Sequence, residues 1–186
     1  YYNGRNNPPT ATILDYACNA GDMGRGRDIM GPTPGLFPPT QSWWDGIDAN
    51  YQFSTDTGIS YVRSQIAPAH VRDGLSNTYF SGEIYLAPDN YRNGMENADD
   101  SGVYDGGASH DNYRITRDFS APGEPKKNGL PPQQDRPGIS FYWCHLFGSA
   151  HAGSLNMAFC DGSVRRIGYA IDPETHGRLG SRADGQ

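Results

Sequence analysis

Residues 155–162, LNMAFCDG, constrain this chain more than any other stretch. Leu155, Met157 and Phe159 alternate with Asn156, Ala158 and Cys160, a period-two pattern that gives a strand one large apolar face and one small or polar face. Asp161-Gly162 follows, a pair that supplies the positive φ a tight turn requires, and SVRRIGY returns as the partner strand. A β-hairpin is therefore predicted, with its alternating apolar side chains turned inward. His151 lies in the GSAHAG approach, and its ring is expected to hydrogen-bond backbone or Asp161 and so fix the loop entering the hairpin.

The rest of the chain is heavily punctuated. Twenty-four Gly and 14 Pro make up about a fifth of the 186 residues, against a usual share of ~12%. Residues 1–54, with NNPPT, GPTPGLFPPTQ and WWDGID, are expected to be surface loops anchored by aromatics, because Pro and Gly at this density break helices. Twelve Tyr, seven Phe and three Trp argue for a folded domain, since each buried aromatic removes ~150–250 Å² from water. Strand-like runs rich in β-branched and aromatic residues occur at 59–66, 77–86, 139–147, 155–160 and 163–171. Helical signals are short: one or two turns after Pro68 ending at Gly74, and a segment capped by Asp172 with Pro173 at its first position. The expected architecture is a single α+β domain over 1–186, mostly antiparallel β and rich in loops, with its core in 55–183.

Charge and cysteine count narrow the partners. A net charge of −6, with no basic run longer than Lys126-Lys127 or Arg165-Arg166, gives no footprint for phosphate backbones, so nucleic acid is excluded as a partner. No stretch approaches 18 apolar residues, so no membrane span is expected in this chain, and its opening YYNGRNNPP does not read as a leader. Cys18, Cys144 and Cys160 show no CxxC spacing. They allow one disulfide plus a free thiol, or three small interior side chains.

The stretch FGSAHAGSLNMAFCDGSVRRIGYAID resembles the signature of the bacterial prepilin-type processing-associated H-x9-D-G proteins, in which a His, nine residues and Asp-Gly-Ser-Val close the chain. VRDGLSNTYFSGEIYL at 71–86 is similar to that family's Asp-Gly-x-Ser-Asn-Thr segment followed by Gly-Glu, and DNYRIT at 111–116 and PQQDRPG at 132–138 resemble further segments in the same order. The resemblance spans roughly residues 55–183. It implies a pilin- or pseudopilin-like C-terminal β domain, exported to the cell envelope, whose N-terminal hydrophobic helix is missing from this chain. It carries no established reaction and transfers no catalytic residue.

GSAHAG lacks a G-x-S-x-G elbow, and Ser149 with His151 lacks an evident orienting acid; a Cys144, His151, Asp161 triad is imaginable, but enzyme activity is not expected. Residues 89–111 are rich in Asp and Gly, a composition suited to a hard cation, with Asp89, Asn93, Asp99, Asp100 and Asp105 as candidate calcium ligands, although the spacing fails the EF-hand template. Glu83 and Asp73 either join such a site or cap turns. Phe37, Trp43, Trp44 and Tyr51 are candidates for a subunit interface or a stacked ligand such as a sugar ring. The expected function is an exported structural subunit that forms a homo-oligomer or homopolymer, a filament or tube. The alternative is a binding module displayed on the surface, dependent on calcium or selective for glycans.

Overall fold

The computed structural model describes residues 14–22, 40–42, 45, 57–61, 64–93, 95–96, 99, 112–117, 130–138 and 145–185. Seven strands are defined among them: β1 (Tyr16–Gly21), β2 (Tyr79–Glu83), β3 (Tyr113–Ile115), β4 (Gln133–Gln134), β5 (Gly148–Ser149), β6 (Ser154–Phe159) and β7 (Val164–Gly168). A helix, α1 (Pro173–Gly180), follows. Five strands form a mixed sheet in the order β3-β1-β2-β6-β7, and β4 and β5 form a small parallel pair. Within the main sheet β1/β2, β2/β6 and β6/β7 run antiparallel, while β1/β3 is parallel. The architecture is thus mostly β, as the composition predicts, with a parallel element that local patterning did not reveal.

The β6–β7 hairpin forms where the alternation places it. Leu155, Met157 and Phe159 are fully buried, and each removes side-chain surface worth ~1.5–3 kcal/mol from water. Their cluster includes Tyr79 and Phe147, and Tyr79 meets Phe159 edge to face with ring centroids 5.2 Å apart. The turn is offset by one residue from the expected arrangement. Gly162 N–H donates to Phe159 O (2.9 Å), so Cys160 and Asp161 occupy the centre of the turn and Gly162, at φ +83°, carries the left-handed step after it.

One face of the sheet is closed by α1. Asp172 caps the helix by accepting from Thr175 N–H (2.8 Å), and Pro173 sits in the first turn, as predicted. Leu179 packs on the core cluster, and His176 is fully buried against Tyr79 and Phe147. The helix is also tied to the strand layer by polar contacts. Arg117 grips Glu174 through both carboxylate oxygens (2.6 and 2.7 Å) and lies 3.2 Å from Asp22. Its guanidinium draws the Glu174 carboxyl down to about 2.

The fold differs further from the sequence-based expectation, and β3, β4 and β5 all lie outside the expected strands. Residues 1–54, expected to be loops, supply β1, which lies between β2 and β3. Its middle residue Asn19 is fully buried and donates to Tyr79 O (2.9 Å) and Gly180 O (2.8 Å), so a residue of low strand propensity is held by its amide rather than by packing. Residues 59–61 and 64–66, part of the expected strand at 59–66, are not in a strand, and Ile59 and Ser60 both donate to Asn19 O. Gln41, Ser42 and Asp45, in the expected aromatic loop, are helical, with Gln41 Nε2 donating to Asp45 Oδ1 (2.7 Å). No helix among the described residues is long and apolar enough to cross a membrane.

Candidate functional site

His151 lies in the short connection from β5 to β6. Its backbone N–H donates to Ser149 Oγ (3.2 Å), and its carbonyl accepts from the Tyr169 hydroxyl (2.9 Å), which also donates to Ser149 O (3.1 Å). The loop is therefore held from below by a tyrosine just beyond β7, whose hydroxyl is pushed upward by burial. The ring projects outward, with 64% of the side chain exposed, and Nε2 lies 3.2 Å from Glu83 Oε1.

Glu83 is the hub of this arrangement. It ends β2 and is nearly buried, and its Oε2 accepts from Asn156 N–H (2.6 Å) while Oε1 accepts from Asn156 Nδ2 (3.2 Å). The carboxylate thus continues the β2/β6 ladder where the main chain stops and presents its remaining capacity to His151. The expectation that His151 bonds Asp161 is corrected here. The two residues flank opposite ends of β6, and a six-residue strand alone spans ~20 Å. The nine-residue interval is the length of a strand with its flanking turns, not the reach of a hydrogen bond.

Asp161 instead organises its own turn. Its Oδ1 accepts from Ser163 N–H (2.9 Å) and Oγ (2.6 Å), and Arg165 lies 3.3 Å from Oδ2. The Ser163 hydroxyl and N–H hold its carboxyl below the usual range. The turn also meets the 73–78 segment: Asp161 N–H donates to Leu75 O (3.1 Å) and Cys160 N–H to Thr78 O (2.9 Å). Asp73 accepts from Asp184 N–H (2.7 Å) and Gly185 N–H (3.1 Å), anchoring the end of the described chain. Two motifs that the sequence keeps far apart are therefore joined twice, through this turn and through Glu83 with His151.

Beside the His151–Glu83 pair opens a cavity of about 370 Å³, lined by Asp15, Tyr16, Tyr91 and Asp135 among others. Asp135 accepts from Leu86 N–H (3.1 Å) and from the Tyr91 hydroxyl, and burial raises its carboxyl above the usual range. Burial, and then the bond to Asp135, push the Tyr91 hydroxyl upward in turn. The Asp15 carboxylate has no hydrogen-bond or ion-pair partner among the described residues. The cavity is acidic and partly aromatic, suited to a cationic group.

The other sequence candidates fall elsewhere. Asp89 accepts from Gly138 N–H (2.8 Å), Asn93 Nδ2 donates to Asp89 O (3.2 Å) and Asn90 Oδ1 (3.1 Å), and buried Asp99 accepts from Leu14 N–H (3.2 Å). Asp89 and Asp99 are engaged by backbone donors distant in sequence and Asn93 by its neighbours, and no group of three or more His, Cys, Asp or Glu suited to a metal occurs among the described residues. Asp100, Asp105, Phe37, Trp43, Trp44, Tyr51 and Cys144 lie outside the described residues. Cys18 and Cys160 are both free thiols, and burial raises that of Cys160. Glu83 as the partner of His151, and Asp15 and Asp135 as cavity walls, escaped sequence reasoning because no local pattern links them.

The fold and site define a mostly-β domain with a mixed five-stranded sheet, backed by a helix and clasped at one end by a His–Glu pair. Residues 15–174 match the family described as protein of unknown function (DUF1559), and the chain belongs to that family. The match begins upstream of the motif resemblance and takes in β1. No curated protein and no solved structure matches the chain.

Proposed function

We propose that this chain is an exported structural subunit of the cell envelope, pilin- or pseudopilin-like in kind, that assembles with copies of itself. The reading rests on large apolar side chains that remain exposed on the outer face of the main sheet, although Glu83 and Tyr113 on that face are covered. Opposite the face closed by α1, Tyr16 is 57% exposed, Phe80 49% and Val164 67%. Large apolar side chains grouped on one exposed face mark interaction surfaces. The resemblance of residues 71–86 and 147–172 to prepilin-processing-associated proteins supports an envelope location. On this reading the Glu83–His151 pair is a clasp that holds the β5–β6 loop against the sheet, and no reaction is assigned to it. Cryo-electron microscopy of envelope material from the native source tests the proposal. A repeating fibre, tube or lattice that contains the chain is expected; recovery of the chain only as a monomer in the cytosolic fraction overturns it.

A further inference from the structure

Two charged side chains without partners among the described residues stand at opposite ends of one row across the outer sheet face. Tyr16 pairs with Glu83, Glu83 is bonded to Asn156, and Asn156 pairs with Arg166, so these four side chains cross β1, β2, β6 and β7 in line. At a strand spacing of ~4.8 Å the row spans ~14 Å. Asp15 stands at the β1 end, where it lines the acidic cavity with Asp135; Arg166 is exposed at the β7 end. Among the described residues, neither Asp15 nor Arg166 has a hydrogen-bond or ion-pair partner for its side chain. The adjacent row is Cys18, Ser81, Ala158 and Val164, and a bulge between Tyr79 and Ser81 brings exposed Phe80 beside it. The face therefore carries exposed apolar side chains on β1, β2 and β7, Tyr16, Phe80 and Val164, with an acidic flank beside β1 and a basic flank on β7.

That pattern complements itself under only one symmetry. A two-fold axis running across the strands sets β1 over β1 and brings the two acidic flanks together. Pairing β7 with β7 edge to edge sets Arg165-Arg166 against the same residues of the other copy, a juxtaposition that natural sheet edges use to prevent association. A two-fold axis parallel to the strands sets β7 of each copy over β1 of the other, so both flanks meet their opposites and Val164 of each copy comes over β1 of the other. We infer that a second copy of this chain docks on the outer face about an axis parallel to the strands, with Arg166 of each copy entering the acidic cavity of the other. The guanidinium fork suits the Asp15 and Asp135 carboxylates, and the contact is isologous. The inference rests on the assembly reading above and specifies the pair from which an assembly is built.

Sedimentation velocity of the chain across the micromolar range tests it. Wild type is expected to dimerise. Arg166→Asp and Asp15→Arg are each expected to weaken association at least ~10-fold, and the two together to restore most of it. Val164→Ser, which alters no charge, is expected to weaken it as well. Both charged positions are exposed, and the melting temperature of each variant reports that it is folded. A monomer at every concentration overturns the inference. A dimer indifferent to both charge changes overturns this face while leaving the assembly reading intact, which native imaging judges separately. Two weakened single variants with no restoration in the double variant overturn the pairing of Arg166 with Asp15 about a two-fold axis parallel to the strands.

Discussion

Glu83 holds His151 across 68 residues of sequence, with Oε1 3.2 Å from the imidazole Nε2, while the same carboxylate takes the backbone N–H of Asn156 at 2.6 Å. The two contacts differ in weight. The Asn156 contact satisfies a main-chain donor at the end of a ladder, whereas the His151 ring stands largely in solvent, where an ion pair is screened.

Removing the carboxylate should therefore cost more than removing the ring. Glu83→Ala is expected to destabilise the domain by ~2–3 kcal/mol, because it strands the Asn156 donors. His151→Ala is expected to cost ~1 kcal/mol or less, and Glu83→Gln should fall between. Urea unfolding at neutral pH checks the order. A loss in His151→Ala equal to that in Glu83→Ala contradicts it.

Two glycines separate backbone strain from close approach. A Cβ at Gly162 meets nothing within 4 Å, so only its φ of +83° resists substitution. Gly162→Val should lose ~1–3 kcal/mol and Gly162→Asn clearly less, since Asn tolerates the left-handed region. At Gly148 a Cβ would strike the Gln133 carbonyl and the Tyr85 backbone and Cβ, atoms that cannot swing aside. Gly148→Ala should cost at least as much as Gly162→Val, and denaturant midpoints that reverse this order would refute the packing described around β5.

His176 makes stability depend on pH in a defined window. Burial lowers its folded value from 6.5 to about 3. Above pH 6.5 the group is neutral in both states and contributes no slope. Below it the unfolded chain gains a proton that the folded chain refuses, so stability falls as pH drops from 6.5 towards 3. Between pH 7.5 and pH 5 this single group should remove about 2 kcal/mol. His176→Gln keeps a polar partner for the Tyr79 hydroxyl and should flatten most of that loss in chemical denaturation at the two pH values. An unchanged pH dependence would show that His176 is not the buried neutral group described.

The parts of the fold that local physics decides were legible in the sequence. The alternation from Leu155 to Phe159 needs only a period of two, and the Asp172-Pro173 helix start needs only one turn of chain. β1 was not legible, because Tyr-Ala-Cys-Asn-Ala-Gly has weak strand propensity and is held in place by the Asn19 amide bonds to Tyr79 O and Gly180 O, partners 60 and 161 residues away. The expected strand at 59–66 failed for the converse reason: its β-branched residues favour extension, but Ile59 and Ser60 share the single carbonyl of Asn19 and build no ladder. The site behaves like β1. His151, Asp161 and Glu83 all stood in motifs the sequence displayed, yet which of the acids meets the histidine is settled by the length of β6 and the register of β2.

On the proposed function, the outer sheet face is an assembly surface. Hydroxyl-radical footprinting of the assembled and dissociated protein, read at Tyr16, Phe80 and Met95, tests it most directly. Met95 is 67% exposed and belongs to no strand of the sheet, so it serves as the internal reference. Protection of Tyr16 and Phe80 on assembly, with Met95 oxidised equally in both states, is the predicted result. Equal labelling of Tyr16 and Phe80 in the two states would contradict the claim.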